Sequence, residues 1–217
     1  MTHESTAIRM SGTWLAIASL LLIAALVLHG PIAPDLDDQM TMIADAPLRW
    51  AVAHWIASAA LSLYAMSGLI ALASRSRLTE GAWTMTAWAA ITIGALWTVT
   101  TAVAETTVVS NAAVAGSRET FHAWWAFAAG KGNGFAFLAL AVAAIAGNEA
   151  RSSIGVTPSW SASTGMVAAL ASFAGWVLGM WFGVGAGNLL WLIATILMTA
   201  WTLWFGIGLV RSPIDAD

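Results

Sequence analysis

Six times along its length the chain runs for some twenty residues with almost no charge, and nothing else in it constrains the fold as much. The runs cover about 11–29, 50–73, 82–108, 121–146, 162–182 and 187–210. A hydrocarbon core about 30 Å thick needs roughly 20 apolar residues in one helix. The expectation is an all-α fold, a polytopic integral membrane bundle of six transmembrane helices, with residues 1–217 forming a single membrane domain. Charged residues make up 9% of the chain, against roughly 25% in soluble domains. The deficit runs throughout, so the lipid bilayer is the first partner and the expected place is the cell membrane, multi-pass. The run from Trp14 to Leu28 follows Arg9 and is not followed by a small-x-small cleavage site, so it reads as a retained helix rather than a secretory signal.

Orientation follows from the cationic residues. Arg9, Arg75, Arg77, Arg151 and Arg211 fall at the N-terminus, the second and fourth loops and the C-terminus, whereas only Arg49 and Arg118 fall in loops on the other side. The excess of Arg marks the cytoplasmic face, so both termini are expected to be cytoplasmic. The first loop, "GPIAPDLDDQMTMIADAPLRW", then faces outward, and a short amphipathic helix is expected in it between Pro34 and Pro47. Nothing resembles a basic nucleic-acid patch, so no nucleic acid is expected as partner. The chain has no cysteine, which excludes disulfides, thiolate metal sites and Cys nucleophiles. No internal repeat supports an inverted-repeat transporter.

Against this apolar background, three histidines and one acid fall at a common depth. His29 ends the first helix, His54 lies in the first turns of the second, Glu105 lies near the outer end of the third, and His122 opens the fourth. On the third helix Gly94, Thr98, Thr101 and Glu105 form one stripe, and on the fourth His122, Ala126, Ala129 and Asn133 repeat that spacing. His54 and Ser58 share a face of the second. Imidazole suits Fe, Cu and Zn, and a carboxylate can complete a mixed nitrogen–oxygen site. His29, His54, Glu105 and His122 are therefore the candidate metal ligands, with Glu105 as a candidate catalytic proton acceptor. A haem b is the other candidate cofactor, with His54 and His122 as axial ligands. In that layout, and in no further motif, the chain resembles membrane b-type cytochromes, which implies electron transfer or oxidoreductase chemistry. Two alternatives stand beside it: an intramembrane zinc hydrolase, and a non-enzymatic transporter or accessory subunit, either a homo-oligomer or part of a larger membrane complex. Histidines also sit at helix ends for purely interfacial reasons, His29 as a cap among them, and Glu105 has Arg49 and Arg118 within reach as ion-pair partners.

Lys131 lies nine residues beyond His122, about 13 Å deeper and on about the opposite face of a regular helix. The flanking "GKGNG" is expected to unwind locally or to pack very closely. Fourteen tryptophans against one tyrosine point to an interfacial belt. The glycines of "FAGWVLGMWFGVGAGNLLWL" point to close helix association.

Overall fold

The computed structural model describes residues 3–153 and 155–212, apart from the side chains of residues 3 and 4. The chain is all-helical among these residues, and six helices are long and apolar enough to cross a membrane: Ser5–His29, Pro47–Ser74, Ala82–Val114, Arg118–Arg151, Ser159–Trp181 and Gly185–Arg211. The first, second and sixth are the uninterrupted helices α1 (His3–His29), α3 (Pro47–Ser74) and α9 (Gly185–Arg211). Between α1 and α3 lies α2 (Leu36–Asp45), whose N-cap Asp35 accepts from the backbone N–H groups of Asp37 and Asp38. Pro47 opens α3, where its missing N–H costs nothing.

The other three spans each contain a π-helical turn. The third runs from α4 (Ala82–Ala104) through a π turn at Glu105–Val109 into α5 (Ser110–Val114). The fourth runs from α6 (Arg118–Trp125) through a π turn at Ala126–Gly130, breaks, and resumes as α7 (Phe135–Arg151). The fifth, α8 (Ser159–Trp176), ends in a π turn at Val177–Trp181. Consecutive spans pack side by side, and the sixth packs against the first, so the six close into a ring in chain order. The helix α2 lies over one end of this ring, against α3, α5 and α6.

Lipid tails offer no hydrophobic drive for helix association, so the seams rest on close approach and on hydrogen bonds between helices. Gly12 on α1 meets Gly206 on α9 so closely that a methyl group on Gly12 would lie 2.7 Å from the Gly206 carbonyl oxygen. Gly94 sits against the backbone of Leu138 in the same way. Ser11 and Ser67 each donate to the other's carbonyl, at 3.0 and 2.9 Å. Deeper in the ring the hydroxyls of Ser19, Tyr64 and Thr202 form a triangle with edges of 2.9, 2.6 and 2.9 Å, joining α1, α3 and α9. Tyr64→Phe removes two of those edges but leaves Ser19 bonded to Thr202. Its expected cost is therefore about 1 kcal/mol, in the range of single hydrogen bonds between membrane helices. SDS titration of the detergent-purified variant measures it, and an unchanged midpoint would deny the triangle any role in holding the seam.

Six of the fourteen tryptophans (Trp50, Trp88, Trp125, Trp176, Trp191 and Trp201) are buried inside the ring, while Trp55, Trp83, Trp124 and Trp160 are among those exposed on its outside. The interfacial belt therefore accounts for only part of this residue's abundance.

Candidate functional site

Helix α3 sets the first half of the site. Trp50 and His54 lie one turn apart on its inner face with ring centroids 4.5 Å apart, and His54 Nδ1 lies 2.9 Å from the Trp50 carbonyl oxygen. A carbonyl only accepts, so Nδ1 carries the proton and Nε2 presents a bare lone pair. The same logic applies at the end of α1. His29 Nδ1 lies 2.7 Å from the Gly30 carbonyl oxygen, and Gly30 takes the left-handed φ of +72° that turns the chain away from the helix. The two imidazole centroids stand 5.1 Å apart, and the Trp50 ring packs 4.5 Å from that of His29.

The third span brings Glu105. The stripe that ends on it is regular α-helix as far as Ala104, so Thr98, Thr101 and Glu105 stay on one inward face. Glu105 is 5% exposed, and its Oε2 has no hydrogen-bond partner. Its polar neighbour is the Trp50 indole N–H, which stands beside the carboxyl group but short of hydrogen-bond geometry. A buried carboxyl oxygen without a partner is costly.

His29, His54 and Glu105 line one cavity of about 90 Å³, together with Thr98, Thr101 and Asn133 as further polar groups. Its walls are aromatic: Trp125 on one side, and on the other Phe135, Trp176 and Trp191, whose ring centroids are 5.2 to 5.8 Å apart. The indole N–H groups of Trp176 and Trp191 are buried without partners. Room of this size suits an ion with a few waters or a very small molecule.

His122 is placed differently. Its Nε2 lies 3.5 Å from Asp37 Oδ1 on α2, and Arg118 donates to the other oxygen of the same carboxylate at 2.6 Å. It is not among the residues lining the cavity. The structure thus brings three of the four candidate ligands together and sets the fourth against the covering helix. Asn188 is buried against Gly179, away from the cavity lining. The sequence reading missed the aromatic walls. A signal was available for Trp50, which is not one of those walls but packs on both histidine rings and sits four residues before His54 on a helical face. None separates Trp176 and Trp191 from interfacial tryptophans.

At "GKGNG" the helix does unwind, and it packs closely as well. Asn133 caps both broken ends: its Nδ2 donates to the Ala128 carbonyl at 2.7 Å, and its Oδ1 accepts from the Phe135 N–H at 2.8 Å. Trp97 Nε1 donates to the Gly132 carbonyl at 2.7 Å, and a methyl group on Gly134 would lie 2.6 Å from the Trp97 side chain. Three backbone groups at the break, the Ala128 and Gly132 carbonyls and the Phe135 N–H, thereby find side-chain partners, the kind of compensation that broken helices at membrane depth require. Lys131 itself is exposed on the outside of the ring. The fourth span is 34 residues long, or about 50 Å, well beyond the roughly 30 Å of hydrocarbon. The 17 residues of α7 already supply about 26 Å of it, so Lys131 stands toward the α2 end, where a long side chain reaches water by snorkelling.

Among the described residues no three His, Asp or Glu side chains form a ready-made metal-ligand cluster. No protein family, curated protein or solved structure matches the chain.

Proposed function

We propose that the protein is a cell-membrane protein with both termini cytoplasmic that holds one transition-metal ion beneath α2, near the outer face. It would use that ion in electron transfer or oxidoreductase chemistry. One observation carries the reading: two neighbouring imidazoles that line one cavity each commit Nδ1–H to a backbone carbonyl, which leaves Nε2 as the nitrogen with a lone pair to offer. A hydrogen bond of that kind on the far nitrogen is how ligating histidines are usually oriented. His29 and His54 supply nitrogen, and the ion would draw in Glu105 as the oxygen donor or, with a coordination position left open, as a proton acceptor.

A bare ion suits the cavity better than haem b. The cavity's volume of about 90 Å³ is far below the roughly 300 Å³ at which pockets for larger organic ligands begin, and His122 stands outside its lining.

Elemental analysis of detergent-purified protein, washed with a mild chelator, tests the proposal. Near-stoichiometric iron or copper is expected in the native chain, with at least a tenfold loss in monodisperse His54→Ala. Zinc in place of either would shift the chemistry to hydrolysis. A metal-free protein prepared with metals present, or unchanged content in the variant, would sink the site. A second reading would then lead, a transporter or accessory subunit acting as a homo-oligomer or within a larger complex. The aromatic walls around a single carboxylate favour it, because such walls suit a small organic cation.

A further inference from the structure

Trp50, in the first turn of α3 and 2% exposed, is not among the residues lining the cavity beneath α2, yet it adjoins all three of that cavity's candidate ligands. Its ring centroid lies 4.5 Å from that of His29 and 4.5 Å from that of His54, inclined at 42° to each. The imidazole centroids are 5.1 Å apart, so the three rings form a nearly equilateral triangle with the indole as one corner. Trp125 packs on the indole at 6.2 Å and stacks in turn on Phe121 at 5.6 Å. All three of these rings are buried, which leaves the indole little room to turn. The Trp50 carbonyl accepts the His54 Nδ1–H, a bond that any residue at this position could offer, but the ring contacts need an aromatic side chain.

The indole N–H has a separate use. It is buried without a partner, as is Glu105 Oε2, and the π turn that Glu105 opens packs against α3, so that the two groups stand side by side. A donor and an acceptor left open beside each other are costly to the empty site and matched to a filled one. An indole N–H only donates, and its bond to an ionised carboxylate is shorter and stronger than one to a neutral acid. A carboxylate that ligates a metal is ionised, and ligating carboxylates are in turn hydrogen-bonded. We infer that Trp50 is the positioning residue of the site: its ring sets the spacing of His29 and His54, and its N–H holds the Glu105 carboxylate once an ion draws it in. The inference rests on the metal reading of the cavity and adds to it a group that does not itself ligate.

Zinc(II) added to the metal-stripped full chain in detergent tests it, because this diamagnetic ion accepts nitrogen and oxygen donors and leaves the indole N–H resonances visible to NMR. At saturating zinc the Trp50 indole proton, assigned through its own backbone, is expected to move downfield and to exchange more slowly with water. Trp50→Phe keeps an aromatic face against both imidazoles but has no N–H, and is expected to bind zinc about tenfold more weakly. Trp50→Leu loses the aromatic bracing as well, with about a hundredfold loss expected. Bound zinc that leaves the Trp50 resonance where it was, or a Trp50→Phe chain that binds as tightly as the native one, would overturn the positioning role and leave the metal site standing. A stripped native chain that takes up no zinc would overturn it too, and elemental analysis of the unstripped protein then decides whether the metal reading falls with it.

Discussion

Gly187→Val is expected to leave little or no correctly folded protein, with a cost of at least about 3 kcal/mol. Gly187 lies in the first turn of α9 and faces the π turn that ends the fifth span. A methyl group there would overlap the Gly179 amide nitrogen and lie 2.9 Å from both Gly179 Cα and the Leu178 carbonyl carbon. All three are backbone atoms, so no side chain can swing aside, and the two helices would have to separate. The contact is mutual, since a methyl group on Gly175 would meet the backbone of Trp191 and lie 3.0 Å from the Gly187 carbonyl oxygen. Overpacking that a flexible core absorbs costs about 1–3 kcal/mol, and here nothing is free to flex. Separation would also part Trp176 from Trp191 and open the cavity wall. SDS titration and gel filtration check this against Leu189→Val, an exposed control expected to match the native chain. A monodisperse Gly187→Val protein of native stability would show that this seam is looser than drawn.

Glu105→Gln is expected to act in opposite directions on stability and on metal. The native carboxyl is buried with one oxygen unpartnered, a burden carried by the folded state alone. Glutamine keeps its size and removes the acid. Measured on metal-free protein, the variant should be more stable by about 1–3 kcal/mol. Its metal content should fall at least tenfold, since the oxygen donor is gone. A stabilising change that destroys function is the expected signature of a residue retained for its chemistry. If metal-free Glu105→Gln is instead less stable than the native protein, Glu105 is a structural group and loses its proposed role.

The six spans were legible because apolar length is a one-dimensional property that survives without knowledge of packing. Their ends were less so. The third and fourth helices reach to Val114 and back to Arg118, past the expected limits of 108 and 121, because their polar turns stand clear of the hydrocarbon and pack under α2. Within the site, Thr98, Thr101 and Glu105 keep the expected common face because the third span is regular α-helix as far as Ala104. The stripe His122, Ala126, Ala129 and Asn133 failed at one point for a definable reason. A π turn at Ala126–Gly130 inserts an extra residue into the helical count. Ala129 and Asn133 therefore face the cavity, while His122, on the far side of the turn, points to Asp37. Nothing in the local residues announces that turn. The aromatic walls were hidden differently, since a tryptophan at a helix end serves lipid or ligand equally well until its neighbours are known.

The closure of the ring between the first and sixth spans has a consequence for biogenesis. Helices leave the ribosome in order, and each finds its next neighbour at once except the first, whose second partner is the last to be made. Until α9 arrives, the face of α1 carrying Gly12 and Ser19 must lie against lipid or against the insertion machinery. Ser19 can meet Tyr64 early, but its bond to Thr202 waits for the whole chain. The final helix is thus the keystone of the assembly, and an interrupted chain would present a slot where the seam should be.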